Sequence, residues 1–394
     1  MYKRSLTKVL KRFAKFPAVV LLGPRQSGKT TLVKDTFKKH VYVTLEDPET
    51  LEFVTQDPKR FLREHENKHG IIFDEFQHAP QLLSYIQIES DLKDRPGYFV
   101  LTGSQNFLMN QAISQSLAGR AGILHLLPLS IAELAQNKIL PDLDDLIIKG
   151  GYPRIYAKDF SRDDGFAWPL RTYIERDVRQ LVNVKDIATF QKFMKLCAGR
   201  VGRLLNVADI ATNCGISQAT SHSWLSILEA SYIIFLLKPH FNSFDKRITK
   251  TPKLFFYDTG LACSLLGIRS VQELSMSPWR GHLFECLIIA DLYKQYYNLG
   301  LEAPLHFWRD QNGRIEVDCI IDLGLKLLPI EIKSAETIVR DFFEGLSRWA
   351  EMAKVDVAQS YVIYGGQLSQ KRSKGQVISW KSAGSLVDKL ETKE

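Results

Sequence analysis

A chain of 394 residues, 45% hydrophobic and 24% charged, has enough apolar mass for more than one core and too balanced a composition for a disordered or fibrous chain. Its five cysteines, Cys197, Cys214, Cys263, Cys286 and Cys319, never fall into a C-x-x-C pair, which argues against a zinc knuckle or a disulfide framework and for buried thiols. The net charge of +8 falls in the first two-thirds, where it suits phosphates or plain solubility; apolar runs such as residues 232–237 are too short to span a bilayer and the start lacks a signal-peptide core, so the expectation is a multidomain, membrane-free, cytoplasmic protein.

In chain order, the first predicted strand is the apolar run 18–22. It feeds Gly23-Pro24-Arg25-Gln26-Ser27-Gly28-Lys29-Thr30-Thr31, and helix formers follow. This is G-x-x-x-x-G-K-[ST] in the strand–loop–helix setting that a phosphate-binding loop requires. The glycines let backbone N–H groups wrap the phosphates of ATP at a helix N-terminus, Lys29 reaches the β and γ oxygens, and the Thr30 hydroxyl ligates Mg²⁺. A second apolar strand, 71–73, closes on Asp74 and Glu75. Asp74 is placed to hold Mg²⁺ and Glu75 to polarise the attacking water; the plain alternative is a strand ending in two solvated acids.

The strand in "YFVLTGSQN" ends in Thr102, Ser104, Gln105 and Asn106, polar groups that could sense the γ-phosphate or merely form a turn. Arg120 stands in a Gly-flanked loop before the next apolar strand. It reads either as a residue inserted into a neighbouring subunit's nucleotide site, which would imply a homo-oligomer, or as a surface arginine.

After the turn in "GGYPRIY", a helical stretch carries Arg171, Arg176 and Arg179 interleaved with Glu175 and Asp177, the pattern of a solvated face. Residues 207–212 and 217–230 read as two helices about a turn at Cys214-Gly215-Ile216, with Ser217 as cap and Gln218, Ser221, His222 and Ser223 as exposed positions. A wing bearing Lys246, Arg247, Lys250 and Lys253 follows, suited to DNA phosphates. The second helix has no arginine or lysine, so non-specific backbone contact is expected rather than base reading, and docking on a protein partner is the competing role.

The last third opens with an amphipathic helix carrying Glu285. Strands are expected at 305–310, 316–322 and 327–334, then a helix at 339–353 and a strand at 359–366. That order places Glu285, Asp318 and Glu331 where hard oxygen ligands could hold Mg²⁺, with Lys333 on the same face as Glu331 to orient water or steady charge during phosphodiester cleavage. An ordinary hairpin with charged edges is the alternative.

The segments "GPRQSGKTTL", "IIFDEFQ", "VLTGSQ", "LAGRAG", "LPLSIAEL", "GGYPRIY", "YIERDV", "PKLFFYDTGLA" and "EVDCIIDLGLKLLPIEIKS" run through almost the whole chain. In that order they resemble predicted AAA-superfamily ATPases of bacteria and archaea that carry a C-terminal domain of the restriction-endonuclease-like type. One departure is Gln105, where the family usually has a second small hydroxyl residue. The resulting expectation is α/β: a P-loop (ASCE/AAA-type) parallel-sheet domain over 1–135, a helical and winged-helix segment over 136–265, and a restriction-endonuclease-like domain over 266–394. The expected function is ATP hydrolysis acting on or near DNA, with or without Mg²⁺-dependent nuclease activity, or alternatively a nucleotide-dependent switch or scaffold that binds protein or DNA without cutting.

Overall fold

Runs of aliphatic and β-branched residues without polar interruption form the first sheet, because a parallel sheet is covered on both faces. Its strands are β1 (Ala18–Leu22), β2 (Val41–Thr44), β3 (Ile71–Asp74), β4 (Phe99–Gly103) and β5 (Ala121–His125), all parallel in the order β2-β3-β4-β1-β5. Every residue of β1, β3 and β4 is buried. The computed structural model describes residues 1–93, 95–104, 116–157, 186–240, 250–310 and 312–391; expectations for Gln105, Asn106, Arg171, Glu175, Arg176, Asp177, Arg179, Lys246 and Arg247 lie outside the described residues.

The helices Thr7–Phe13 and Lys29–Thr36 contribute Val9, Leu10, Leu32 and Val33 to a core with Val19, Leu21, Ile72, Val100 and Leu124. Phe61, Phe73 and Phe99 form a second apolar stack in the same unit. The strand order interposes β4 between β1 and β3, with Leu22 beside Gly103 and Thr102 beside Asp74. The carboxyl ends of three strands therefore meet, which is where ligands bind in open α/β sheets.

The chain divides into two compact units, the first being Met1–Leu129 with Ala230–Tyr232 and Tyr297–Leu301. Most residues of the expected middle and last segments fall together in the second unit. The physical reason is direct bonding within that unit: His240 donates its N–H to Phe307 O at 2.7 Å, and Phe307 returns one to Lys238 O at 3.1 Å.

The two helices of the middle segment are Val207–Cys214 and Gln218–Ala230, joined through left-handed Gly215, with Ser217 Oγ accepting from the Thr220 N–H at 3.0 Å. Three antiparallel strands accompany them: β6 (Arg203–Leu204), β7 (Ile234–Leu237) and β8 (Lys253–Phe256), in the order β6-β8-β7. Two expectations are corrected. Ser221, read as an exposed contact, is fully buried because its phase on the helix is that of Trp224, Leu225 and Leu228; Gln218, His222 and Ser223 are exposed. Lys253, read as a wing cation for phosphates, is only 2% exposed.

The motifs "GGY" and "YDTG" form one clasp. Asp258 caps the helix Thr259–Leu266 by accepting from the Leu261 N–H at 3.1 Å, and also accepts from the Gly151 N–H at 2.7 Å. A Cβ on left-handed Gly150 would lie 2.1 Å from Asp258 Oδ1, so only glycine admits this contact.

The second unit's large sheet comprises β9 (Leu305–Arg309), β10 (Glu316–Asp322), β11 (Leu327–Lys333), β12 (Tyr361–Tyr364), β13 (Gln370–Arg372) and β14 (Gly375–Ser379), in the order β13-β14-β12-β11-β10-β9. β9, β10 and β11 form an antiparallel meander; β11, β12 and β14 run parallel. The helix Glu344–Ala353 buries Leu346 and Trp349 in a core with Val317, Ile320 and Val362. Residues 238–240 lie along β9 through a bridge at Pro239 and Phe307, while β13, reading Gln-Lys-Arg, forms the opposite, exposed edge. Among the described residues no helix is long and apolar enough to cross a membrane.

A buried acid in this unit sets a pH dependence. Asp291, 1% exposed, accepts from the Ile131 N–H at 2.7 Å, and burial pushes its carboxyl up to about 6 against the opposing pull of that bond and Lys294. Its folded pKa exceeds its unfolded value, so the folded state binds the extra proton and stability is lost as pH rises from about 4 through 6. Asp291→Asn keeps the acceptor without the titration. Urea unfolding of the two proteins from pH 4 to 7 is expected to diverge by roughly 3 kcal/mol in favour of the amide variant at the upper end; parallel curves would refute it.

Candidate functional site

The first site is built where β1 turns into the helix Lys29–Thr36. Gly23 passes so close to the chain that a Cβ would stand 2.2 Å from Leu126 O, and left-handed Gly28 starts the helix. Arg4, largely buried, clamps the loop from behind, donating from Nη1 to Ser27 O and from Nη2 to Leu127 O, both at 2.7 Å. Lys29 Nζ lies over the loop, donating to Gly23 O and Pro24 O at 2.9 Å. Arg25 pairs with Glu46 at 3.9 Å, while Gln26 Nε2 and Ser27 Oγ are buried without a hydrogen-bond partner. Thr31 follows Thr30 on the helix's exposed side.

Opposite the loop, Asp74 Oδ2 accepts from Thr30 Oγ at 2.8 Å and from the Tyr42 hydroxyl at 2.7 Å, and its Oδ1 accepts from Thr102. Burial and the Asp74 carboxylate push the Tyr42 phenol up, keeping it a donor. A threonine hydroxyl and a carboxylate side by side are a hard-oxygen pair, so these residues fit Mg²⁺. Glu75, next in the chain, is held in the left-handed region at φ 55° and accepts from Gln77. Such a conformation carries strain for a residue with a Cβ and is a mark of positions fixed for function.

Among the candidates, the structure brings together Lys29, Thr30, Asp74 and Thr102. Tyr42 and Gln77 were missed: Tyr42 sits on a strand without a motif, whereas Gln77 was visible in "FDEFQ". Ser104 lies one residue beyond β4. Arg120 donates to Asp91 from Nε and from Nη2, the latter to Oδ2 at 3.0 Å, and from Nη1 to Ala118 O at 3.1 Å, so within its own chain it is an ion-paired surface residue.

The second cluster lies in the other unit. Asp318 and Glu331 do come together: beyond the ladder pair Cys319–Ile330, Asp318 Oδ2 accepts from the Ile332 N–H at 2.8 Å. Lys333 Nζ reaches Glu331 Oε1 at 2.6 Å. The expected metal centre at Glu285, Asp318 and Glu331 meets a different arrangement, however, because Lys253 stands among the carboxylates. Its Nζ contacts Glu285 Oε1 at 3.0 Å and Glu316 Oε1 at 2.5 Å, and Arg309 holds the other Glu316 oxygen at 3.3 Å. Among the described residues no group of three His, Cys, Asp or Glu side chains forms a ready metal site. With Lys253 seated, these residues do not fit Mg²⁺.

Charges within the cluster depend on one another. Burial alone would raise Glu285, yet Lys253 and then His282 override it and hold the carboxyl below its usual range. Asp318 is pushed well up by burial and by the neighbouring Glu331 and Glu285, against the opposing pull of Lys253 and Lys333. Burial would lower Lys253, but Glu285, Asp318 and Glu316 raise it, so it remains an ammonium.

Fold and loop together define the first unit as a P-loop nucleotide-binding fold. Three family models match successive segments: an AAA domain over residues 15–135, a domain of unknown function (DUF8612) over 140–272, and a domain of unknown function (DUF4143) over 280–383. The chain is similar to uncharacterized proteins of Mycobacterium tuberculosis and Mycobacterium bovis, each 29% identical over 358 residues, 89% of this chain and 77% of theirs. Similar solved structures include a Walker-type ATPase of Pyrococcus abyssi (15% identity, TM-score 0.45, covering 67% of this chain and 96% of that one). Another is the Aeropyrum pernix ORC1 protein in complex with DNA (14% identity, TM-score 0.32, covering 71% and 94%).

Proposed function

We propose that the first unit is an AAA-type ATPase of the additional-strand class, in which β4 stands between the loop strand and the Asp74 strand. The observation that carries this reading is the convergence of Lys29, Thr30, Asp74 and Thr102 at the ends of three adjacent strands. Lys29 exchanges its two loop carbonyls for phosphate oxygens, and the loop's N–H groups hold the rest of the phosphate chain. Thr30 and Asp74 would hold Mg²⁺, which neutralises charge developing on the phosphates. Glu75, steadied by Gln77, orients the attacking water and draws off its proton.

Glu75→Gln tests this directly. Nucleotide affinity is expected to stay within about twofold while turnover falls by roughly 10²-fold or more, the typical worth of a positioned general base. Unchanged turnover in a malachite-green phosphate assay would remove Glu75 from the chemistry. In the same proposal Arg120 leaves Asp91 to act at a neighbouring copy's nucleotide in a homo-oligomer, and DNA is engaged through non-specific phosphate contacts favoured by the chain's net charge of +8.

For the second unit, Lys253 favours a reading without cleavage: a module that binds protein or DNA and is driven by the nucleotide state of the first. Incubation of the wild-type chain with plasmid and Mn²⁺ tests it; a nick that disappears in Asp318→Asn would restore the nuclease reading, in which Asp318, Glu331 and Lys333 are catalytic.

A further inference from the structure

Five elements of the second unit bring charge to one place. β8 supplies Lys253, the helix Arg280–Leu299 supplies Glu285, β9 supplies Arg309, β10 supplies Glu316 and Asp318, and β11 supplies Glu331 and Lys333. Four carboxylates thus face two ammonium groups and one guanidinium.

Lysine is almost never this deeply buried unless its charge is matched, and Lys253 finds its match in Glu285 and Glu316. One feature of the cluster is not accounted for by the lysines. Glu331, 9% exposed, has Oε1 on Lys333 but leaves Oε2 buried with no hydrogen-bond partner. A buried carboxylate oxygen without a partner is costly, and a cation with more coordination positions than an ammonium would use it.

We propose that this cluster is a latent divalent-cation site whose resident cation is the Lys253 ammonium. The lysine takes the metal's place, holds the carboxylates together, and excludes Mg²⁺ or Mn²⁺ while it remains seated. This deepens the reading of the second unit as a module without cleavage, and gives a physical reason for it: the oxygens that would bind metal are already neutralised from within the chain. It does not depend on the ATPase reading.

The test is calorimetric titration of Mn²⁺ into the nucleotide-free 394-residue chain. The wild type is expected to show no site sensitive to Asp318→Asn. Lys253→Met, which keeps the alkyl length and removes the charge, is expected to gain one Mn²⁺ per chain, bound at least about tenfold more tightly than any site in the wild type, and to lose it again in Lys253→Met/Asp318→Asn. Lys253→Arg, which retains a cation, gains none. A folded Lys253→Met protein that binds no Mn²⁺ would overturn the proposal, and so would a wild-type site abolished by Asp318→Asn.

Should Lys253→Met fail to fold, amine acylation of the wild type followed by peptide mass spectrometry decides the matter. Lys253 is expected among the slowest-reacting lysines, with a rate unchanged by millimolar Mn²⁺. Acceleration by Mn²⁺ would mean that metal displaces the lysine, and rapid labelling without Mn²⁺ would mean that the lysine is not seated; either result refutes it. The plasmid assay remains separate, because a nick by the wild type would defeat the non-cutting reading whatever the titration shows.

Discussion

Lys29→Ala is expected to reduce ATP turnover by roughly 10²- to 10³-fold, the effect of deleting one preorganised group that stabilises transition-state charge. The side chain is buried and its ammonium hangs over Gly23 O and Pro24 O, so the cation is stored at the mouth of the loop rather than drawn in from solvent. The nearby core is built by Leu32 and Val33 one turn further along, residues that the substitution leaves in place. Folding is therefore expected to survive, and circular dichroism with a phosphate-release assay separates loss of catalysis from loss of structure. Equal turnover in Lys29→Ala and wild type would remove the loop from any hydrolytic role.

The second large effect concerns stability. Asp258→Ala removes the two carboxylate oxygens, Oδ2 accepting from the Gly151 N–H and Oδ1 from the Leu261 N–H, and takes these partners from both buried groups. At about 1–3 kcal/mol for each orphaned group, plus the lost helix cap, the second unit is expected to lose roughly 3–5 kcal/mol. Asp258→Asn keeps one of the two acceptor oxygens and puts an N–H donor where the other stood, so it is expected to cost at least about half as much. A denaturant midpoint unchanged in Asp258→Ala would show that the clasp contributes nothing.

How much of this was legible in the sequence follows from how local each signal is. The phosphate loop was readable because its glycines, lysine and threonine lie within eight residues and the flanking strand and helix announce themselves by composition. The meander of β9, β10 and β11 was readable from alternation and from the turn at Gly324, and the helices either side of Gly215 from a cap and a glycine. Lys253 was misread because its role is set by partners far along the chain; the nearest, Glu285, is 32 residues away. Within "DKRITKTPK" it reads like a surface cation such as Lys250, and the pairing of β8 with β7 and β6 turns it inward. Ser221 was misread for a smaller reason: a small polar residue gives no sign of which helix face it occupies when the apolar stripe begins only at Trp224.

The two edges of the six-stranded sheet govern how copies of this chain can meet. Residues 238–240 take the outward hydrogen bonds of β9 at its central Phe307, and β13 offers Lys371 and Arg372 along a strand of three exposed residues. An edge that is already paired cannot template an incoming strand, and a short, like-charged one repels its own copy. Open-ended polymerisation through this sheet, the route by which exposed β-edges seed aggregates, is thereby discouraged at both ends.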